Sequence, residues 1–176
     1  MFKKFVWAIR AVMYFPFMGS IGMPSYIGPP VLISGFRWIY LGKRVRIFPG
    51  IRLECINEGR IHIADNVSIA QNVHITSSRL DLIIGSGCAI LANTCITNIV
   101  HQHGLKRIAP FEFPIIEKET IIGSNCLIGH GSVILAGVVL GEGCIVGANS
   151  TVTKSFPPYS VIAGSPANLL KKQEMD

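Results

Sequence analysis

Branched aliphatic side chains recur at every sixth position through the C-terminal half of the chain: Ile116, Ile122, Ile128, Ile134, Leu140, Val146 and Val152. Four residues after each of the first six comes a small or compact side chain: Thr120, Cys126, Ser132, Val138, Cys144 and Ser150. Glycine often follows the aliphatic directly, at Gly123, Gly129, Gly141 and Gly147. A period of six suits neither an α-helix at 3.6 residues per turn nor a plain strand at two. It is the period of a solenoid in which six residues make one short strand and one turn. Three such units close a triangular coil of about 18 residues, with the aliphatics inside and the small residues at the corners.

The same step runs less regularly upstream. Ile21, Ile27, Ile33 and Ile39 keep it; the frame slips by two and resumes as Leu41, Ile47 and Leu53. After an excursion at Asn57–Arg60 it returns as Ile63, Ile69 and Ile75, with Val67 and Val73 as compact partners. A further slip near Ser77–Asp81 leads to Ile84, Ile90 and Ile96, partnered by Cys88, Thr94 and Val100. Slips of this kind are corners that lengthen while the coil continues. One interruption is larger: between Val100 and Ile115 the sequence HQHGLKRIAPFEFP has no six-residue pattern and predicts a loop, 101–115, leaving one corner.

Two segments lie outside the repeats. Residues 1–18, MFKKFVWAIRAVMYFPFM, place Phe2, Val6, Ile9 and Met13 at helical spacing, with Lys3, Lys4 and Arg10 off that stripe. The run is too short to span a bilayer, is broken by Arg10 and Pro16, and has no small-residue cleavage site, so it does not read as a secretory signal. Two readings stand: a helix that caps the open end of the solenoid, or a basic amphipathic helix resting on an anionic inner membrane surface. At the other end Pro157 and Pro158 break the last strand, and a tail over 161–176 with Lys171 and Lys172 is expected to cover the far end. The expected organisation is a helix over 1–18, a β-solenoid over 19–160 and that tail.

Composition narrows the partners. Hydrophobic residues make up 49% of the 176 and charged residues only 15%, as an apolar-filled solenoid requires. The formal charge of +6 asks for an anionic partner. No nucleic-acid motif is present and the basic residues form no single run, so nucleic acid is not expected; a phosphorylated cofactor or nucleotide-sugar meets the same need. Five cysteines, with no CxxC, mostly occupy compact positions and read as buried thiols in a reducing compartment.

Two stretches carry a resemblance: IGSGCAILANTCITNIVHQHG, and PIIEKETIIGSNCLIGHGSVILAGVVLGEGCIVGANSTVTKSFPPYSVIAGSPANLL. With them the chain resembles the hexapeptide-repeat acyltransferases, nearest in style to sugar O-acetyltransferases of bacterial surface-polysaccharide synthesis. About half the chain matches closely and most of the rest loosely. The resemblance implies an all-β fold, a left-handed parallel β-helix assembled as a homotrimer. Spacing alone gives the triangle but no hand, and ordinary crossovers favour the opposite one. It implies transfer of an acetyl group from acetyl-CoA to a sugar acceptor, free, nucleotide-linked or lipid-linked. His101 falls at the place of the general base, with His103 in reserve, and Asn98 stands where relatives often carry Asp, to hold the acceptor or the loop. Donor contacts carry over to Gly129, His130, Ala148, Thr153, Lys154 and Lys171. Relatives often have Trp where this chain has Leu127.

Gln71 and Asn72, one coil below the loop, are candidates for the acceptor pocket. Lys106 and Arg107 read either as a solvated loop tip or as groups that steer a diphosphate-linked sugar. His62, His74 and His130 more simply pack or hydrogen-bond, as lone histidines do. No metal is expected, because no third histidine lies one coil from the HQH pair. The expected location is cytoplasmic, at the inner membrane face if the helix binds there. Other readings are N-acetylation of a nucleotide-linked amino sugar, O-acetylation of a xenobiotic or of serine, and a non-catalytic scaffold. A serine enzyme usually carries a sizeable N-terminal helical domain that 18 residues cannot supply, and a scaffold has no need of the GANSTVTK and GSPAN segments.

Overall fold

A computed structural model describes residues 2–102, 109 and 112–174, so His103, Lys106 and Arg107 lie outside the described residues. The chain forms a parallel β-solenoid of triangular section behind one α-helix, as the six-residue period predicts. The first face stacks β1 (Ser20–Ile21), β4 (Ile39–Leu41), β7 (Arg60–Ile63), β10 (Asp81–Ile84), β15 (Thr120–Ile122) and β18 (Val139–Leu140). The second stacks β2 (Tyr26–Ile27), β5 (Arg46–Ile47), β8 (Ser68–Ile69), β11 (Ala89–Ile90), β16 (Leu127–Ile128), β19 (Ile145–Val146), β21 (Ser160–Gly164) and β22 (Ala167–Lys172). The third stacks β3 (Leu32–Ser34), β6 (Arg52–Ile56), β9 (His74–Ser78), β12 (Cys95–Thr97), β17 (Val133–Ile134) and β20 (Thr151–Val152). A separate antiparallel ribbon joins β13 (Ile99–His101) to β14 (Ile115–Glu117) at the root of the loop.

In-register pairing puts like on like. Ile90 sits between Ile69 and Ile128, and Ile96 between Ile75 and Ile134. These columns of fully buried aliphatics are the core. The thiols of Cys88, Cys126 and Cys144 are buried at corner positions, and burial pushes Cys55, also in the core, up to about 12.

Two expected interior positions are not interior. Ile116 belongs to β14, in the ribbon rather than the prism, and is 39% exposed, so the regular array starts at Ile122. Val100 is only half-buried, and the inward place near it is taken by Asn98. The tail also differs from a simple cover: β21 continues the second face past residue 160, and β22 folds back antiparallel upon it.

The helix α1 (Phe2–Tyr14) closes the first coil with a face other than the one its spacing suggests. Trp7 meets Tyr26 and Phe48 with ring centroids 5.8 and 6.0 Å apart, Tyr14 meets Phe36 at 5.2 Å, and Ala11 between them is fully buried. Arg10 Nη1 donates to the Ile27 carbonyl (3.0 Å), an acceptor that no preceding coil is present to satisfy. The stripe Val6, Ile9 and Met13 faces outward and is exposed. Flat rings with a small residue between them fit the end of a prism better than branched chains do.

The two classes of aliphatic separate energetically. Ile128→Ala is expected to cost about 2–5 kcal/mol in urea unfolding and Ile116→Ala under about 1 kcal/mol, because only the first leaves a cavity. Equal losses would return Ile116 to the core.

Candidate active site

The chain must turn a corner after every short strand, and the corners align into three edges. On the edge between the second and third faces, backbone hydrogen bonds link Gln71 to Asn93, Ala92 to Gly131 and His130 to Asn149. Four sequence candidates, Gln71, Asn72, His130 and Ala148, are exposed along this one edge. Gly129 lies buried beside them. A Cβ there would sit 2.6 Å from both the Ala148 nitrogen and the Val146 carbonyl oxygen, so glycine is what lets the coils approach. Asn93 Nδ2 donates to His130 Nε2 (3.2 Å). Asn72 holds a left-handed corner (φ 57°), with its amide oxygen over Gly50, so its carboxamide serves the stack as well as the surface.

The edge between the third and first faces carries the rest. There β12 runs through Asn98 into the ribbon, and two turns of the array later, past β17, Thr153 and Lys154 leave β20. His101 ends β13 opposite Ile115 with its imidazole exposed. Lys154 Nζ lies 5.7 Å from the centroid of the Phe156 ring. Lys171 is on β22 beside Val161. The predicted residues therefore fall into two groups on two edges of one chain, with the third face between them. His101, Asn98, Thr153 and Lys154 share one edge, and Gln71, Asn72, His130 and Ala148 share the other.

Asn98 does not touch the surface. It is fully buried, and its side chain is spent on the neighbouring coil. Ser78 N–H donates to Asn98 Oδ1 (2.8 Å), and Asn98 Nδ2 donates to Ser77 Oγ (3.0 Å), with the Ser78 and Leu80 carbonyls at 3.3 and 3.2 Å. Its backbone carbonyl accepts from Lys118 N–H (2.9 Å), across the root of the loop. Of the two roles open to Asn98, holding the loop is the one this geometry performs; direct contact with an acceptor is corrected by its burial.

Sequence reasoning missed the acidic member of this root. Glu117 pairs with Ile99, which strand alternation puts on the same ribbon face as His101. Ser78 Oγ donates to Glu117 Oε1 (3.1 Å), and Arg79 Nε lies 3.8 Å from the same oxygen. The available signal was the alternation in IIE, hidden by reading Ile116 as a core anchor. A second missed group crosses the third face. Arg52 donates to both oxygens of Glu54 (2.8 and 3.0 Å), and His74 Nε2 lies 2.6 Å from Glu54 Oε2 and 2.8 Å from Thr76 Oγ1. The Arg52 guanidinium holds the Glu54 carboxyl below the usual carboxylate range. His62 stacks on Tyr40 at 4.6 Å, with Asp81 3.6 Å from its Nε2. His62, His74 and His130 thus pack or hydrogen-bond as lone histidines do. Among the described residues no three His, Cys, Asp or Glu gather as metal ligands.

Removing the buried carboxamide should loosen the loop root. Asn98→Ala is expected to lower unfolding free energy by about 2–4 kcal/mol, because it strands the Ser78 N–H in the interior and removes the donor to Ser77 Oγ and the nearby carbonyls. A loss within about 0.5 kcal/mol in urea titration would show that the root does not depend on it.

Residues 119–154 match the family described as bacterial transferase hexapeptide (six repeats). A protein of Escherichia coli (strain K12) assigned as lipopolysaccharide biosynthesis O-acetyl transferase WbbJ is 36% identical over 152 residues, 81% of this chain and 76% of that protein. Galactoside O-acetyltransferase of the same organism is 29% identical over 87% of this chain, which spans 63% of that protein. Among solved structures, the N-acyltransferase AntD of Bacillus cereus, in complex with dTDP and 3-hydroxybutyryl-CoA, overlays with a TM-score of 0.79 at 20% identity, over 94% of this chain and 88% of that one. Galactoside acetyltransferase in complex with coenzyme A gives 0.65 at 21% identity, over 93% and 69%. With the solenoid, the loop-root histidine and the extent of the WbbJ match together, the chain belongs to the hexapeptide-repeat transferase family of acetyltransferases.

Proposed function

We propose that the protein is a cytoplasmic O-acetyltransferase that moves an acetyl group from acetyl-CoA to a sugar hydroxyl in cell-surface polysaccharide synthesis. The observation that carries the reading is the exposed His101 at the root of the inserted loop, in a chain that matches most of a lipopolysaccharide O-acetyl transferase. Neutral imidazole takes the proton of the acceptor hydroxyl as its oxygen attacks the thioester carbonyl. The carbon–sulfur bond then breaks, and the imidazolium returns its proton to the leaving thiolate. A backbone N–H of a neighbouring coil is suited to stabilise the oxyanion between these steps. The fold likeness to AntD keeps one competing acceptor in view, a nucleotide-linked amino sugar.

The division of candidates between two edges leads to the assembly. Within one chain the third face separates His101 from His130 and Ala148, so a site that uses both groups is completed only by a second copy. A homotrimer that sets one protomer's loop edge against its neighbour's other edge meets this need. Lys154 and Lys171 are then available to the phosphates of the coenzyme.

Thiol release from acetyl-CoA with a panel of neutral sugars, nucleotide-linked amino sugars and serine tests the reaction. Turnover with a hydroxyl sugar is expected, and His101→Ala should lower kcat by about 10²- to 10⁴-fold with little change in the acetyl-CoA KM. Full turnover in that variant, with loss in His103→Ala, would move the base to His103; acetylation of amino sugars alone would replace the acceptor class. For the shared site, His101→Ala and Ala148→Arg chains should each be inactive alone and regain activity when refolded together. No regain would place all the chemistry on one protomer.

A further inference from the structure

The positive charge of this protein is not spread over the solenoid. The first 53 residues contain eight Lys and Arg and no Asp or Glu, whereas the remaining residues hold eight basic and ten acidic side chains. The N-terminal end alone therefore carries the net charge. Arg10 is turned inward onto Ile27; Lys3, Lys4, Arg37, Lys43, Arg44 and Arg46 are exposed.

That same end bears an apolar surface with no partner. The helix α1 is apolar on two sides, and only the side with Trp7, Ala11 and Tyr14 is consumed in capping. The opposite side presents Phe5 (65% exposed), Ile9 (46%) and Val12 (60%), and the turn after it adds Phe17 (65%). A groove of about 690 Å³ continues the surface between Met13 and Phe17 and the 3-10 turn Phe36–Trp38. Basic side chains surround it. Arg37 lines that groove, Lys43 lines a hollow with Phe15, and Arg44 and Arg46 line one with Ala8. Glu58 and Asp65 are the acids facing these hollows, one in each of the first two.

From this juxtaposition we infer that the outer side of α1 is a docking surface for an anionic phospholipid bilayer. Phe5, Ile9, Val12 and Phe17 enter the boundary between headgroups and acyl chains, and the surrounding Lys and Arg meet the phosphates. An exposed aromatic and aliphatic face on a helix lying in the interface plane, edged by cations, has the chemistry that such a boundary recognises. A second copy of this chain is disfavoured as the occupant, because it would press two strongly positive ends together. No helix among the described residues is long and apolar enough to cross a membrane, so the contact is peripheral. The inference stands apart from the acceptor reading, since it is read without any turnover.

Flotation of the full-length protein tests it, with vesicles of phosphatidylcholine alone and with vesicles in which about a third of the lipid is phosphatidylglycerol. The protein is expected to float with the anionic vesicles and about tenfold less with the neutral ones, and salt should release it. Phe5→Ser/Ile9→Ser, which leaves the capping face intact, should reduce flotation about tenfold or more with an unchanged melting temperature. Lys3→Glu/Lys4→Glu should do the same. The proposal fails if anionic vesicles do not carry the protein, if both vesicle types carry it equally, or if either double variant floats like the parent. It also fails if the protein self-associates through this face, seen as Phe5→Ser/Ile9→Ser dispersing a larger species that never binds vesicles.

Discussion

A parallel coil that turns through a triangle must bring three bends around every circuit directly over the three bends below, at the spacing of hydrogen-bonded strands. At that spacing a bend has almost no room for side chains between circuits. The molecule meets the constraint by pairing a bare Cα with a short amide. Gly50, Gly87 and Gly131 take positive φ, and the carboxamide oxygens of Asn72, Asn125 and Asn149 occupy the space a Cβ would fill. These asparagines adopt left-handed φ themselves, a region that Asn tolerates better than most residues. Ring-flattened Tyr159 does the same over Gly143.

Because bends are so restricted, variation has few places to go. A corner either stays tight or releases the chain altogether, and the one large release is at Asn98. The buried carboxamide there ties two successive circuits together at the point where the strand leaves the prism. His101 stands on the β13–β14 ribbon, held by backbone pairing rather than by core packing. The packed spool carries the stability, and the histidine proposed as the base stands outside it on the ribbon.

The interior was legible from the residues because inward positions of a solenoid recur and tolerate little besides aliphatics. Ile122 through Val152 could be assigned from spacing alone, and the burial of Ile128, Leu140 and Val146 agrees. Ile116 was misread because a six-residue step also falls on alternate positions of an ordinary strand, so the ribbon mimicked the frame. Which face of α1 caps the solenoid was not decided by spacing. Helical spacing reports that a stripe is apolar, and here two stripes are; ring shape and the buried Ala11 decide which one docks. The relation of Glu54 to His74 was beyond reach, since it depends on the number of residues in an irregular circuit. That Gln71, His130 and Ala148 line up on an edge opposite to the histidine's likewise requires knowing which corner each occupies.

The fold-back of β22 on β21 has a consequence of its own. A stack of in-register parallel strands ends in a row of unsatisfied donors and acceptors, and such a row invites another strand. By reversing direction, β22 presents the second face with a final strand of opposite polarity, which does not continue the winding. At the other extremity Arg10 and the rings of α1 occupy the first circuit. Continuation of the second face at one rim and of the first circuit at the other is thereby opposed, and with it the end-to-end addition by which repetitive β-structures become fibres.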